Sequence, residues 1–194
     1  MPRWVVVPAV VAGLSSFAGG ALVGAHSNAG AAPPSLVHST ASSHIVQPQP
    51  PAGSCHAGGS GLFSLPDPGC TPGAIDPAVT QASLARTICH AGYSESVRPS
   101  ESITEREKVA SLRSYGDRKP LHAYEYDHLV SLELGGAPND ARNLWPEPGA
   151  SPNPKDSLEN RLHARVCDRQ MTLAAAQRAI AQNWVAAWHR FGFG

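Results

Sequence analysis

The sequence lacks net charge and, over its first 69 residues, it lacks charge of either sign almost completely. The 194 residues carry 15 basic and 15 acidic side chains, so no global positive field gathers nucleic acid, and any affinity for a polyanion must be local. Up to residue 69 the only charged side chains are Arg3 and Asp67, among abundant Ala, Gly, Ser and Pro. This composition predicts a disordered linker over residues 26–69 and a folded domain over residues 70–194.

Other absences narrow the class of protein further. No Cys-x-x-Cys pair occurs, which disfavours a zinc knuckle, and no internal repeat is found. Beyond residue 25, no apolar run is long enough to span a membrane. The number of cysteines is even, which favours two disulfides in an exported chain and leaves three pairings open. The four cysteines are Cys55, Cys70, Cys89 and Cys167.

The N-terminal residues fit the pattern of an export signal. Arg3 is followed by an apolar stretch to Ala25 with small residues near its end, and this pattern predicts a signal peptide over residues 1–25, with a second cleavage position after Ala31. The alternative is an uncleaved membrane anchor over the same residues. We therefore expect a secreted protein, or one held at the cell surface if the segment is retained.

Helix signals flank a strand-rich centre. In the helix predicted to begin at Asp156, Leu158, Leu162 and Val166 recur at four-residue intervals, which predicts a buried stripe. The start signals are proline in the first turn, a capping box and capping side chains. Four helices are predicted, beginning at Asp76-Pro77 (through Cys89, stopping at Gly92), at the Thr104–Glu107 capping box (stopping at Gly116), at Asp156, and after Thr172.

The centre of the sequence predicts two strands. The run 123–134 is rich in aromatic and branched residues, and the Gly135-Gly136 turn separates it from a short extended piece at residues 143–145. Four prolines between residues 146 and 154 are predicted to keep the next stretch irregular. The order of strand, turn, strand, loop and helix predicts an α+β fold.

Polar residues concentrate at the end of the first strand and in the loop that follows the second. Asp127 and His128 stand side by side, and Asn143 and Asn153 follow across the glycine turn. A carboxylate beside an imidazole, with two amides at fixed distances, can supply a metal ligand, a general base and the groups that orient them. This set of groups indicates phosphodiester hydrolysis.

The segments around these residues resemble HNH-type endonucleases of the ββα-metal (His-Me finger) superfamily, and more narrowly small secreted HNH-like proteins of bacteria. The resemblance implies a small ββα-metal hairpin core with flanking helices over residues 70–194. It is carried by four segments, Asp127-His128-Leu129, Leu132–Gly136, Asn143–Pro148 and Lys155–His163.

The resemblance also implies residue roles and a cofactor. His128 would be the general base and Asn143 would hold the loop and orient the histidine ring, while Asp127 and Asn153 would bind the metal. Oxygen ligands favour Mg²⁺, with Mn²⁺ or Zn²⁺ as alternatives. The expected partner is a nucleic acid substrate, DNA or RNA, acted on by a monomer with no stable membrane association once the signal is cleaved.

Further residues are candidates for the metal's surroundings or for substrate contact. The third ligand could come from Glu159, Asn160 or His163 on the helix. The simpler expectation is that Glu159 and His163 form a surface pair and that Lys155 is a solvated lysine at a helix start, with phosphate contact as the alternative. Glu133 is expected either to brace the hairpin or to join the site.

Two considerations limit the assignment. Neighbouring residues of a regular strand point to opposite faces, so a shared site for Asp127 and His128 predicts a distorted backbone at that pair. The balanced charge also favours a rival hypothesis, in which a non-catalytic secreted binding module uses the same hairpin only as structure.

Overall fold

The computed structural model describes Met1 and residues 35–193. The predicted signal peptide or anchor therefore lies outside the described residues except for Met1. The chain divides into two units, 1–32 and 33–194, and the second contains every helix and strand named here. Among the described residues, no helix combines the length and the apolar character needed to cross a membrane.

The described residues form an α+β fold with two small sheets, which confirms the predicted class. Residues 37–38 pair in parallel with residues 74–75 in one sheet, and residues 124–128 pair antiparallel with residues 144–148 in the other. The elements in chain order are β1 (Val37–His38), β2 (Ala74–Ile75), α1 (Tyr93–Val97), α2 (Glu101–Ser114), β3 (Tyr124–His128), β4 (Leu144–Pro148), α3 (Pro154–Cys167) and α4 (Leu173–Trp188).

Helices α3 and α4 supply much of the main core. Leu158, Leu162 and Val166 are fully buried on α3, as the four-residue spacing predicts, and they belong to the same cluster as Ile180 and Trp184 of α4. Each buried leucine contributes about 1.5–3 kcal/mol relative to an exposed one. Thr172 caps α4 by accepting from Ala175 N–H, which confirms that predicted helix start. The α3–α4 pair thus packs on Leu129, Val130 and Leu134, which follow β3.

The predicted pair of disulfides is present. Cys55 is joined to Cys70, and Cys89 is joined to Cys167 at the end of α3. The second bridge spans 78 residues, so it ties the segment before α1 to the helix that lies next to β3. Two disulfides are compatible with an extracellular protein.

The described part of the predicted linker differs from the prediction. Residues 35–69, which we term the N-terminal arm, are held against the domain. The arm contributes β1, and its main chain makes long-range hydrogen bonds, such as Gln47 N–H to the Glu107 carboxylate at 2.6 Å and Cys55 N–H to the Ser114 carbonyl at 3.0 Å. Composition misjudged this segment because hydrogen bonds of the main chain do not require charged or apolar side chains.

Two helix starts also differ from the prediction. Residues 76–89 form turns and one short 3₁₀ segment, because the side chains of Asp76 and Ser83 hydrogen-bond to nearby main-chain atoms and compete with a helix. Helix α2 begins at Glu101, three residues before the predicted capping box, and Glu107 turns inward to the arm instead of capping. Its predicted stop is confirmed, since Gly116 has a φ of 69° just after the helix.

The hairpin is shorter at one end and longer at the other than predicted. Strand β3 ends at His128 because the Asn143 side chain takes the main-chain groups of Val130 that a partner strand would otherwise bind. Strand β4 continues through Pro146 and Pro148, which pair with Tyr126 and Tyr124. Prolines two residues apart lack N–H groups on the same side of the strand. Because β4 pairs with β3 on only one side, its unpaired side can accommodate these missing N–H groups.

Candidate functional site

Asp127 and His128 are neighbours on β3 but have different surroundings. Pairing is regular through both residues, with Asp127 opposite Trp145 and His128 opposite Leu144, so the predicted backbone distortion is not present. The Asp127 carboxylate contacts Lys155 of α3, whereas the His128 ring contacts the Pro138 carbonyl in the loop between the strands. The two side chains therefore serve two different sites.

The first site is a buried ionic group, the lysine cluster, formed by Asp127, Glu147, Lys155 and Glu159. The Lys155 ammonium donates to Asp127 Oδ2 at 2.6 Å, to the His128 carbonyl at 2.7 Å and to Glu159 Oε1. The Lys155 side chain is only 1% exposed. The prediction of a solvated lysine is thus wrong, because α3 points this side chain at β3 instead of at solvent.

Burial and the lysine charge act against each other in the cluster. Burial would raise the pKa of Asp127, but the Lys155 ammonium and a hydrogen bond with Glu147 hold that pKa below its ordinary value. Burial, together with the charge of Asp127, raises the pKa of Glu147. Burial also raises the pKa of Glu159 to about 8 against the Lys155 ammonium. Asp127 with Lys155 is therefore the principal ion pair, and the raised pKa of Glu147 favours its protonated form beside Asp127.

The His128 ring is held in one tautomer. Its Nε2 lies 2.9 Å from the Pro138 carbonyl oxygen, and since a carbonyl can only accept, Nε2 carries the hydrogen. The lone pair is then on Nδ1, for which the described residues provide no hydrogen-bond partner. Burial lowers the pKa of His128 to about 4, outweighing the opposite effects of Pro138 and Asp127. The ring is consequently neutral at neutral pH.

His128 lines a cavity of about 810 Å³, the β3 groove, between β3 and residues 95–108. Arg98 is exposed at this groove, and its charge is felt at His128, where it lowers the pKa after the larger effect of burial. The charged residues that line the groove are Glu95, Arg98, Glu101, Glu105, Lys108 and Glu125. A neutral imidazole and a guanidinium thus share one open space, although carboxylates outnumber cations around it.

Asn143 is the structural link between the strands and the loop. It is fully buried, its Oδ1 accepts from Val130 N–H at 3.0 Å, and its Nδ2 donates to the carbonyls of Val130 and Ala137. Ala137 precedes Pro138, whose carbonyl holds the His128 ring. Asn143 therefore acts on the histidine through the loop and does not touch the ring in the contacts described.

The donor atoms around Asp127 do not fit a divalent ion as they stand. Asn153 is the N-cap of α3, and its Oδ1 already accepts from Lys155 N–H and Asp156 N–H at 2.8 and 3.2 Å. Asp127 Oδ2 and Glu159 Oε1 are engaged by the Lys155 ammonium. The predicted ligand pair of Asp127 and Asn153 is thus committed to a helix cap and an ion pair.

The remaining predicted residues lie along α3, except for Glu133 in the 3₁₀ turn Leu132–Leu134. His163 is 3.7 Å from Glu133 in ion-pair geometry, so the expected surface pair with Glu159 is not formed. Burial raises the pKa of Glu133 against the opposing influence of His163. Asn160 is exposed and donates to the Asp156 carbonyl. These residues lie outside the lysine cluster, except for Glu159.

One other group of described residues could hold a metal ion. Cys89, His163 and Cys167 place their ligand atoms within 4.8 Å of one another. The two sulfurs are joined in a disulfide, so they would serve as thiolate ligands only after reduction. Sulfur and nitrogen ligands suit softer ions than Mg²⁺, and this group is distinct from the predicted Asp127 and Asn153 pair.

Sequence reasoning missed Glu147 and Arg98. Glu147 stands two residues after Trp145, the partner of Asp127, so the alternation of a strand places it on the Asp127 face. That signal was readable only if the strand was continued across Pro146. Arg98 follows a short helix and has no local pattern that distinguishes it from other exposed arginines.

Comparisons with protein families, with curated proteins and with solved structures gave no match to this chain.

Proposed function

We propose that the protein is a secreted hydrolase that cleaves phosphodiester bonds of DNA or RNA in the β3 groove, with His128 as the general base. The observation that carries the proposal is the His128 ring, whose Nε2–H is fixed by the Pro138 carbonyl and whose remaining nitrogen is free to accept a proton. A general base must be unprotonated at working pH, and His128 with a pKa of about 4 meets this requirement, at the cost of being a weaker base than a free imidazole.

Arg98 completes the proposal on the substrate side. An exposed guanidinium next to the base can bind a phosphate through paired N–H donors and offset the charge that builds up during attack by water. His128 would take the proton from that water. The hairpin β3–β4 followed by α3 supports the assignment to a ββα-metal fold, which we include in the proposal.

The divalent ion implied by the resemblance, Mg²⁺ or else Mn²⁺ or Zn²⁺, stays a prediction. Because Asp127, Asn153 and Glu159 are engaged with other groups, no step of the proposal runs through an ion. Export and a monomeric state also belong to the proposal, and the two disulfides support the first of these.

Cleavage of fluorogenic DNA and RNA oligonucleotides by purified protein tests the proposal. Replacing a general base typically costs 10²–10⁴ in rate, so we expect His128→Ala to lose about that factor. His122→Ala is the matched control, because His122 is an exposed histidine just before β3 and should leave the rate unchanged. Retained cleavage in folded His128→Ala would exclude His128 as the base.

A non-catalytic secreted binding module is the second candidate, and the charge of the β3 groove favours it. Four carboxylates and two cations line the groove, which is unfavourable for a long polyanion. Absence of cleavage by the wild-type protein on both substrates, with and without added divalent ions, would favour this candidate over the hydrolase.

A further inference from the structure

The Lys155 ammonium is surrounded in the manner of a bound cation. Its three N–H donors are directed at three oxygens, the Asp127 carboxylate and the His128 carbonyl at the end of β3 and the Glu159 carboxylate on α3. An ammonium has three donors and all three are satisfied. The side chain is 1% exposed, so the contacts are not those of a mobile surface pair.

The start of α3 fixes where this cation is placed. Asn153 and Asp156 form a reciprocal capping box and Pro154 occupies the first turn, so the Lys155 backbone is held at the second helical position. A positive charge is unfavourable at a helix N-terminus because the helix dipole is positive there. The carboxylates of the lysine cluster must therefore outweigh the dipole, and they retain the ammonium against it.

We propose that Lys155 is a built-in cation that takes the place of a divalent ion beside Asp127, and that the native protein binds no divalent ion at this position. The contacts at 2.6 and 2.7 Å suit an ammonium, whereas Mg²⁺ requires about 2.0–2.1 Å and usually keeps several waters. By holding the carbonyl of His128, Lys155 also acts as a positioning residue for the end of β3.

The same oxygens predict the effect of removing the ammonium. The Asp127 and Glu159 carboxyl groups and the His128 carbonyl would be left facing the vacated position, and such hard oxygen donors favour a divalent ion. Lys155→Ala also opens the space that the side chain fills. This substitution should therefore create an ion site that the native chain lacks. The inference concerns occupancy alone and does not rest on the proposed function.

Mn²⁺ is the probe, because a bound paramagnetic ion broadens nearby proton signals. In the full-length wild-type protein we expect the His128 imidazole proton signals, assigned with His128→Gln, to stay unbroadened as Mn²⁺ is added. In Lys155→Ala we expect selective broadening and uptake of one Mn²⁺ per chain, lost again when Asp127→Asn is added. Lys108→Ala, which removes a lysine of the β3 groove, is the control and should behave as wild type.

Two results of the Mn²⁺ titrations would overturn the inference. Selective broadening of the His128 signals in the wild-type protein that Asp127→Asn abolishes would overturn the inference, since an ion would then bind beside Asp127 despite Lys155. Folded Lys155→Ala that takes up no Mn²⁺ would also overturn it, because the three oxygens that hold the ammonium would not form a cation site. If Lys155→Ala does not fold, the wild-type titration alone decides whether a divalent ion binds beside Asp127.

Discussion

The lysine cluster and the β3 groove meet at two adjacent residues, yet they differ in almost every physical respect. Asp127 contacts the Lys155 ammonium, which is 1% exposed, whereas the buried His128 ring lies at the wall of an open space of about 810 Å³. Strand alternation separates the two side chains, so adjacency in sequence does not place them in one site. The difference indicates that the closed side stabilises the hairpin and the open side is available for a ligand.

The largest loss of stability is expected from a substitution in the lysine cluster. Lys155→Met removes the ammonium and leaves buried carboxylates without their partner, which typically costs about 3–5 kcal/mol. Urea unfolding of the oxidised protein measures the loss. Lys108→Met is the matched control and should change the free energy of unfolding by less than about 0.5 kcal/mol. A loss equal to that of the control would show that the cluster does not stabilise the hairpin.

The second-largest loss of stability is expected for Asn143, which links the strands to the loop between them. Asn143→Ala leaves the buried main-chain groups of Val130 and the Ala137 carbonyl without their hydrogen bonds, and we expect a loss of about 2–3 kcal/mol. Chemical denaturation checks this value, and slower cleavage is expected because the Pro138 carbonyl would shift. Unchanged stability would mean that the loop is held by other contacts.

His128 should make the free energy of unfolding depend on pH. In the folded protein His128 has a pKa of about 4, while in the unfolded chain it binds a proton near pH 6.5. The unfolded state is therefore favoured as pH falls through this window, and His128 should account for a loss of about 2 kcal/mol between pH 7 and pH 5. Unfolding of wild type and His128→Gln at both pH values isolates the contribution. An equal loss in both proteins would contradict it.

The smallest effect on stability is expected at the exposed arginine of the groove. Arg98→Gln should alter the free energy of unfolding by less than about 0.5 kcal/mol, because no hydrogen bond to the other described residues fixes its guanidinium. Cleavage should nonetheless fall if Arg98 binds phosphate, and the fall should appear in oligonucleotide assays. Arg106→Gln, an exposed arginine of α2 outside the groove lining, serves as the comparison.

The sequence was most informative where one local pattern decides the structure. The four-residue spacing of Leu158, Leu162 and Val166 predicted the buried face of α3, and Thr172 predicted the start of α4. The even number of cysteines predicted two disulfides but not their pairing. Patterns of this kind depend on neighbours a few residues away, so the sequence contains all that is needed.

The burial of Lys155 depends on long-range register and was not predictable in the same way. It requires β4 to continue through Pro146, so that Glu147 joins Asp127, and α3 to begin at Pro154 instead of Asp156. The predicted end of β4 and the predicted start of α3 were each wrong by only a few residues. Together these two errors led to the prediction that Lys155 is exposed, whereas it is buried. The polar residues singled out from the sequence do lie along β3, the loop and α3, but their contacts differ from those predicted.

The attachment of the N-terminal arm has a practical consequence for producing the protein. A recombinant version that started at Cys70 would remove β1, the Gln47 contact with buried Glu107, and the cysteine partner of Cys70. It would expose an unpaired thiol and a carboxylate that had lost its amide donor. Expression boundaries drawn from composition would therefore yield a damaged fold, and cloning should begin no later than residue 35.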